Sequence, residues 1–421
     1  MRCALYACIA CVLAAGAHAQ TVDPLTLRPD AVPEGAAATP LGLRVELWRQ
    51  QFDLRRTSST QPGFTNRVVL DFRHEWSVGE AWKLGLSDRL EYLRTPGDDE
   101  TRNALREIYA SRAFGKGFVD GGRINWRNGV GAGFNPTDYL KRGAVIEQGT
   151  QSPQALRENR LGTVMLRGQA LSKLGSAQLA WIPDVADAPP AAENTLAPAW
   201  ARTNSTQAAL LKLAPQLGQR VAVDLLAYTR AGERPQVGAN LTWLVSDALL
   251  AYTEWSGGKA AALPGPNEAA PPAAWKNALA AGVTWTTPLG VSATAEYQYS
   301  GEALTRERWA AWQQAIGTPL ERELGRLRND RSRAQAALVQ RAWFMRLGWD
   351  DAFGNRDIDL AAFVRVNAFD RSRLWQIDAA WHLTERQSLR LIGGGFRGNP
   401  QSEHGSTTVR GYGSLTWMMF F

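Results

Sequence analysis

Cysteine occurs only at the very start of this 421-residue chain, as Cys3, Cys8 and Cys11. That stretch reads as an export signal: Arg2, an apolar run from Cys3 to about Ala15, then Ala17-His18-Ala19. A positive start, a short apolar core and a small-x-small site are what signal peptidase reads. The run is too short for a membrane anchor, and no stop-transfer pattern follows. Cys8 stands where a lipid-modified Cys11 would want a leucine. Residues 1–19 are therefore read as a signal peptide, with Gln20 opening a mature chain that has no thiol. This excludes a disulfide framework, a thiolate metal site and a cysteine nucleophile. An exported chain of this size without disulfides must be held together another way.

Long apolar runs are also missing. After Ala19 no stretch of about 18 residues could cross a bilayer as a helix. Histidine is scarce: beyond the signal there are only His74, His382 and His404, and no two have metal-ligand spacing. A serine–histidine–acid hydrolase can be built on any fold. On a barrel wall it would need a histidine facing outward near the outer rim, whereas His74 points outward near the other end. No catalytic, metal or cofactor residue is expected. With 47 basic against 40 acidic residues the net charge is +7, which does not indicate nucleic-acid binding. What the chain does have is 17 tryptophans. Much polar residue, many aromatics and no spanning helix describe a transmembrane β-barrel. Its strands are apolar on one face and wet on the other, with aromatic girdles at the interfaces.

Alternation with period 2 supports this. Val68, Leu70, Phe72 and Trp76 alternate with Asp71, Arg73 and Glu75; Trp343, Met345, Leu347 and Trp349 alternate with Phe344, Arg346 and Gly348. Trp375, Ile377, Ala379, Trp381 and Leu383 alternate with Gln376, Asp378 and His382. Candidate strands begin near residues 42, 67, 81, 103, 117, 160, 175, 203, 219, 236, 248, 275, 291, 338, 357, 373, 387 and 408. The expected fold is all-β: an antiparallel up-and-down barrel of about 18 strands over residues 41–421, after a periplasmic linker at 20–40. Connections alternate between short and long. Short ones such as Pro215–Gly218 and Thr287–Gly290 fit periplasmic turns, and long ones such as Arg127–Asn159 and Gly301–Ala337 fit extracellular loops. Asp88 and Asp120 fall on the apparent lipid face, and Leu105–Ala113 fits neither phase; a bulge would explain such breaks. Trp309, Trp312 and Ile316 have helical spacing in an outer loop. The basic run Arg322, Arg326, Arg328, Arg331 and Arg333 follows, read as a solvated face.

The segment Gly121–Leu140, GGRINWRNGVGAGFNPTDYL, is the most distinctive. With Ile124 and Trp126 toward lipid, Arg123 and Asn125 would face the lumen. Gly129, Gly131 and Gly133 permit a tight reversal, and Asn135-Pro136 reads as the start of a short helix. A glycine string before a helix also suggests a phosphate loop, but no Lys-Ser/Thr follows it. A strand with Glu107 and Tyr109, then Gly122-Arg123, Trp126 and Phe134-Asn135-Pro136-Thr137-Asp138, resembles the early strands and inward loop of porin-like Gram-negative outer-membrane barrels. The resemblance covers about 35 residues and says little about substrate. It implies a loop folded into the pore, with Arg123, Asn125, Asn135, Asp138, Glu107 and Tyr109 as constriction candidates. Lumen charges by alternation include Asp71, Arg73, Arg89, Arg346, Arg365 and Arg410. The expected function is passive diffusion of small hydrophilic solutes through the outer membrane. The rival readings are an export barrel with a periplasmic partner, or a closed structural or adhesive surface barrel. The expected partners are outer-membrane lipid and lipopolysaccharide, the barrel-assembly machinery and the solute itself.

Trp417, Met419 and Phe421 end the chain on one face of its last strand, the form of a barrel-assembly signal. Deleting Phe421 is expected to stop insertion and leave the protein degraded or in the periplasm. Normal amounts of heat-modifiable barrel in outer-membrane fractions would refute this.

Overall fold

The computed structural model describes residues 42–55, 62–146, 149–187 and 196–421; the expected signal peptide and linker lie outside them. The first strands are β1 (Leu43–Leu54), β2 (Phe64–Val78), β3 (Trp82–Thr95), β4 (Asp98–Phe114), β5 (Gly117–Ile124) and β6 (Thr163–Ser172). Next come β7 (Gly175–Ile182), β8 (Ala208–Pro215), β9 (Val221–Arg230), β10 (Gln236–Ser246), β11 (Leu249–Ala260) and β12 (Ala274–Thr286). The last are β13 (Val291–Ser300), β14 (Arg341–Trp349), β15 (Ile358–Asn367), β16 (Arg373–Thr384), β17 (Gln387–Arg397) and β18 (Val409–Phe420). Each pairs antiparallel with its chain neighbour, and β1 pairs with both β2 and β18, so the sheet closes. The eighteen expected strands are all present, each starting within five residues of its sequence-based position.

Period 2 decides which way each side chain points. On β14, Trp343, Met345 and Leu347 are 45, 48 and 56 % exposed, while Ala342, Phe344 and Arg346 are buried. The outward set forms an apolar band of the kind a bilayer covers. Exposed Trp76, Trp82, Trp285 and Trp381 lie near the short turns, and Trp181, Trp275 and Trp343 near the opposite end. His74 sits in the first of these girdles, between the rings of Phe72 and Trp76.

Two of the three sequence irregularities have physical causes, while Asp88 keeps the outward position of Leu84 and Leu90. Ser87 pairs with Glu107 and Asp88 with Leu105, so Arg106 is an extra residue on β4, and this bulge breaks the alternation in Leu105–Ala113. It turns a buried Arg106 inward. Asp120 is not on the lipid face as its local pattern suggested. It is buried inward, 2.6 Å from Arg167, because Val119 takes the outward position.

Arg106 completes a charge cluster on the inner wall of β1–β4. Asp71 accepts from Arg106 at 2.5 and 2.9 Å, from Arg89 at 3.1 Å and from Arg44 at 3.1 Å. Arg89 also reaches Glu46 at 3.1 Å and Glu91 at 2.5 Å. Mutual pairing is what makes so many buried charges tolerable. Beyond the strands, α1 (Pro153–Glu158) and α2 (Trp200–Asn204) lie in long connections. α3 (Arg306–Ala315) and α4 (Glu321–Arg333) fill the connection from β13 to β14. Thr305 caps α3 by accepting from the Arg308 amide, where the tryptophan spacing predicts a helix. The basic run is itself helical, as α4. Its Leu324 packs with Trp309, Trp312 and Leu338 in a small core, and Arg328 is turned inward instead of into solvent.

Asp71→Asn would leave the Arg44, Arg89 and Arg106 guanidiniums short of a buried counter-charge, at a cost of about 3–5 kcal/mol. The barrel should unfold to its heat-modified form at a clearly lower temperature, read by gel mobility after stepwise heating; an unchanged midpoint would contradict the role given to this cluster.

Candidate functional site

The connection from β5 to β6 does not stay outside. It crosses the lumen to the opposite wall, where two buried carboxylates receive its backbone. Glu254 on β11 accepts from the Val130, Gly131 and Thr137 amides at 2.8, 2.9 and 2.7 Å. It also accepts from the Thr137 hydroxyl at 2.8 Å and Asn135 Nδ2 at 3.2 Å. Glu296 on β13 accepts from the Ala132 and Gly133 amides at 2.6 and 3.1 Å, and from the Tyr252 hydroxyl at 2.8 Å. The glycines make this approach possible. A Cβ on Gly129 would lie 2.5 Å from Glu254 Oε1, and one on Gly133 2.5 Å from the Phe344 ring. The string is thus a carboxylate-binding backbone and not a phosphate loop.

The expected helix at Asn135-Pro136 does not form. Glu254 takes the Thr137 amide, Asn135 Nδ2 turns back to the Gly131 carbonyl at 2.7 Å, and only turns follow. Asp138 is held in a fork by Arg160 at 2.7 and 3.1 Å, with Arg157 at 3.8 Å. Burial alone would raise the Asp138 carboxyl, but the Arg160 and Arg157 guanidiniums hold it below the usual carboxylate range. On the return leg the Gln151 amide donates to Gln376 on β16 at 2.8 Å, and the Gly149 carbonyl accepts from Gln50 on β1 at 3.1 Å. The loop therefore touches three sides of the wall.

Asn125 joins the same network: its Nδ2 donates to the Arg157 and Glu158 carbonyls, its Oδ1 accepts from Arg160, and Glu107 accepts its amide at 3.0 Å. Tyr109 donates to Glu75 at 3.0 Å. Arg123 does not belong here. Ile124 and Trp126 face inward, in a core with Met165, Ile182 and Leu210, so alternation turns Arg123 outward. There it donates to the carbonyls of Pro198, Ala199 and Gly162 and lies 4.7 Å over the Trp200 ring. The sequence reading inverted this strand end because an apolar Ile-x-Trp pair was assigned to lipid when it packs beneath the loop.

Among the lumen charges, Arg346 and Arg365 face inward as alternation predicts, and Arg73 reaches Ser87 on the neighbouring inward position at 3.5 Å. Arg410 does not. Asp53 pairs with Gly411 and Leu54 with Val409, so Arg410 is a bulge residue, exposed at the rim 3.8 Å from Asp53. Sequence reasoning missed Glu254, Glu296, Arg106, Arg157 and Arg160. Alternation marks Glu254 and Glu296 as inward acids, but their partners lie more than 100 residues away.

The loop divides the interior. On the short-turn side a cavity of about 470 Å³ is lined by groups of both signs, among them Glu75, Lys83, Glu107, Asp120 and Arg167. On the other side a cavity of about 370 Å³ gathers Lys141, Arg157, Arg328, Arg331 and Arg365 against the single carboxylate of Glu403, with apolar walls at Phe134, Leu156 and Phe396. α4 and the connection from β17 to β18 roof it: Arg328 donates to Ser406 Oγ at 2.7 Å and to the Glu403 carbonyl at 3.3 Å. Elsewhere His382 lies between Asp359 at 3.0 Å and Ser388 at 3.2 Å. Ser388 is only 2 % exposed, and the three form a cross-strand polar ladder.

A closed 18-stranded antiparallel sheet with an apolar exterior, a charged lumen and a loop strapped across it has the architecture of a transmembrane β-barrel. No protein-family model matches the sequence, and no curated protein matches it. Solved structures with a similar fold include three from Pseudomonas aeruginosa: OccK5 (OpdH), OccK11 (OpdR) and OccK2 (OpdF) in complex with glucuronate. They are 10, 11 and 11 % identical, with TM-scores of 0.52, 0.52 and 0.51. The alignments cover 89, 90 and 89 % of this chain and 96, 94 and 96 % of those. At this identity the likeness establishes the fold.

Charge-assisted hydrogen bonds contribute about 1.5–3 kcal/mol each, so removing both anchors should free the loop. In the Glu254→Ala, Glu296→Ala double variant the amides of residues 130–133 and 137 are expected to exchange hydrogen at least tenfold faster, with strand amides unchanged. Equal protection in both proteins would show that something else holds the loop.

Proposed function

We propose that the chain is a passive diffusion channel for small hydrophilic solutes in the outer membrane of a Gram-negative bacterium, delivered there by a cleaved signal peptide. Short turns then face the periplasm and long connections the outside. The observation that carries this is the strapped loop itself. A barrel of this strand number is wide enough for water unless something fills it. Here one hydrogen-bonded crossing narrows the lumen and leaves cavities with charged groups in their walls on both sides. A loop fixed by wall carboxylates makes a filter of constant width, which a purely structural barrel would not need. The similar folds of OccK2 and its relatives support the same reading.

The outer cavity gives the filter a sign. Its cationic groups converge in a low-dielectric space, where a field is focused and not dissipated. Screening reaches about 8 Å at physiological salt, so charges at the narrow section dominate over those on the outer rim. Anions should pass preferentially, and small sugar acids, of which the glucuronate held by OccK2 is one, are a fitting class. The group that sets this preference is the cavity's arginines and Lys141, not Arg123.

Lys141 makes the preference depend on pH. Burial pushes its ammonium down to about 8, although Asp138 and Glu254 oppose this. An ordinary lysine titrates near 10.4. The positive charge is present below pH 8 and is lost above it, so anion preference should fall between about pH 7 and 9. Reversal potentials of the purified protein in a salt gradient would read this. The expected results are weak anion selectivity, a decrease across that interval that Lys141→Met abolishes, reduction or reversal in Arg331→Glu, and no change in Arg123→Glu. A cation-selective or non-conducting wild type would overturn the proposal.

A further inference from the structure

At the end of the barrel nearest the long connections, the outward face of β16–β18 carries three arginines. Arg373 opens β16 and Arg397 closes β17, directly opposite in register. Both are exposed and share the outward phase of Ile377 and Leu391, which are 53 and 57 % exposed. The bulged Arg410 lies beside them, its carbonyl accepting from Arg397 Nη1 at 3.2 Å. Among the described residues, Asp53 is the one carboxylate within ion-pair distance of any of the three. Like charges placed directly opposite one another destabilise a sheet, so the Arg373–Arg397 pair is unfavourable unless an anion lies between them.

The surface beneath them is as unusual. Gly393 pairs with Gly413 and Gly395 with Gly411, all four in the outward phase. A Cβ on Gly393 would meet nothing, and one on Gly413 only a backbone oxygen at 3.8 Å. The result is a shallow channel at Gly393 and Gly413, in a band otherwise built of large apolar side chains; Gly395, nearer the arginines, is buried. Trp375 on β16 covers Gly395 at its upper end: its Nε1 lies 3.3 Å and the Arg410 carbonyl 2.9 Å from where a Gly395 Cβ would be. Leu415, 48 % exposed, borders the channel on β18.

We infer that this face binds a phosphorylated glycolipid of the outer leaflet, the lipopolysaccharide of the outer-membrane reading on which the inference rests. The arginines carry the argument. Guanidinium groups match phosphate in a two-pronged geometry, and a phosphate between Arg373 and Arg397 turns their repulsion into mutual attraction. They stand one step above Trp375, at the level where an aromatic belt meets headgroups. An acyl chain hanging from that phosphate runs down the glycine channel, where side chains would otherwise stand. A free phosphate ion would use the arginines but not the channel.

The test uses the whole mature protein in phosphatidylcholine nanodiscs, titrated with phosphorylated lipid A or with enzymatically dephosphorylated lipid A, with retained lipid counted by native mass spectrometry. The wild type is expected to retain the phosphorylated form about tenfold or more over the other. Arg373→Gln, Arg397→Gln together should abolish that difference. Arg112→Gln, an outward arginine beside the Trp82 ring at the opposite end, should leave it intact. Retention independent of phosphate, or unchanged in the double variant, overturns the inference. Conductance is measured on the same preparations: phosphate-dependent retention by a barrel that conducts nothing supports this site while sinking the channel reading.

Discussion

Two buried carboxylates determine what this barrel is. Glu254 and Glu296 stand on a wall that faces water, and each takes backbone amides from a loop that began on the far side of the lumen. A buried carboxylate with no partner is prohibitively costly, and an unpaired buried amide is costly too. Each makes the other tolerable. The crossing is therefore favourable only when complete, which is why the loop has one position and not a range of them.

The rest of the interior is built on that crossing. With residues 130–137 fixed to β11 and β13, Asp138 comes within reach of Arg157 and Arg160, and Asn125 ties both back to the end of β5. Trp126 and Ile124 then have the underside of a loop to pack against, and so turn inward. The outward turn of Arg123 follows, since adjacent residues of a strand face opposite ways. A salt-bridged wall at β1–β4 works by a different balance. There Asp71, Glu46 and Glu91 compensate arginines on neighbouring strands, and the charges stiffen the wall while leaving little net field. The field is concentrated instead in the outer cavity, where basic groups outnumber the one carboxylate.

Much of the fold was legible along the chain because a barrel strand obeys a local rule. Trp343, Met345 and Leu347 face lipid, and Phe344 and Arg346 the lumen, for no reason beyond period 2, and the strand starts follow from the same alternation. The rule failed where a residue was inserted or covered. Arg106 and Arg410 are bulge residues, and a bulge reverses the phase without any mark in composition. Asp120 and Arg123 were assigned to the wrong faces because apolar Ile124 and Trp126 meet a loop and not lipid. α4 was hidden because its buried side amounts to little more than Leu324 against the tryptophans of α3, and its remaining face is charged.

The sequence by itself determined the class of fold, the number of strands, the phase of those without a bulge or a covering loop, and the presence of a glycine-rich loop after the fifth strand. These depend on residues close together in the chain, whose faces are set by backbone geometry. Tertiary structure alone decided where that loop goes, which acids receive it, which arginines face the channel and which the membrane, and where the cations gather. Those outcomes rest on contacts between residues more than 100 positions apart, such as Glu254 with Val130 and Gln376 with Gln151. Nothing local records them, because a carboxylate on a wet wall looks the same in sequence whether it meets water or an amide.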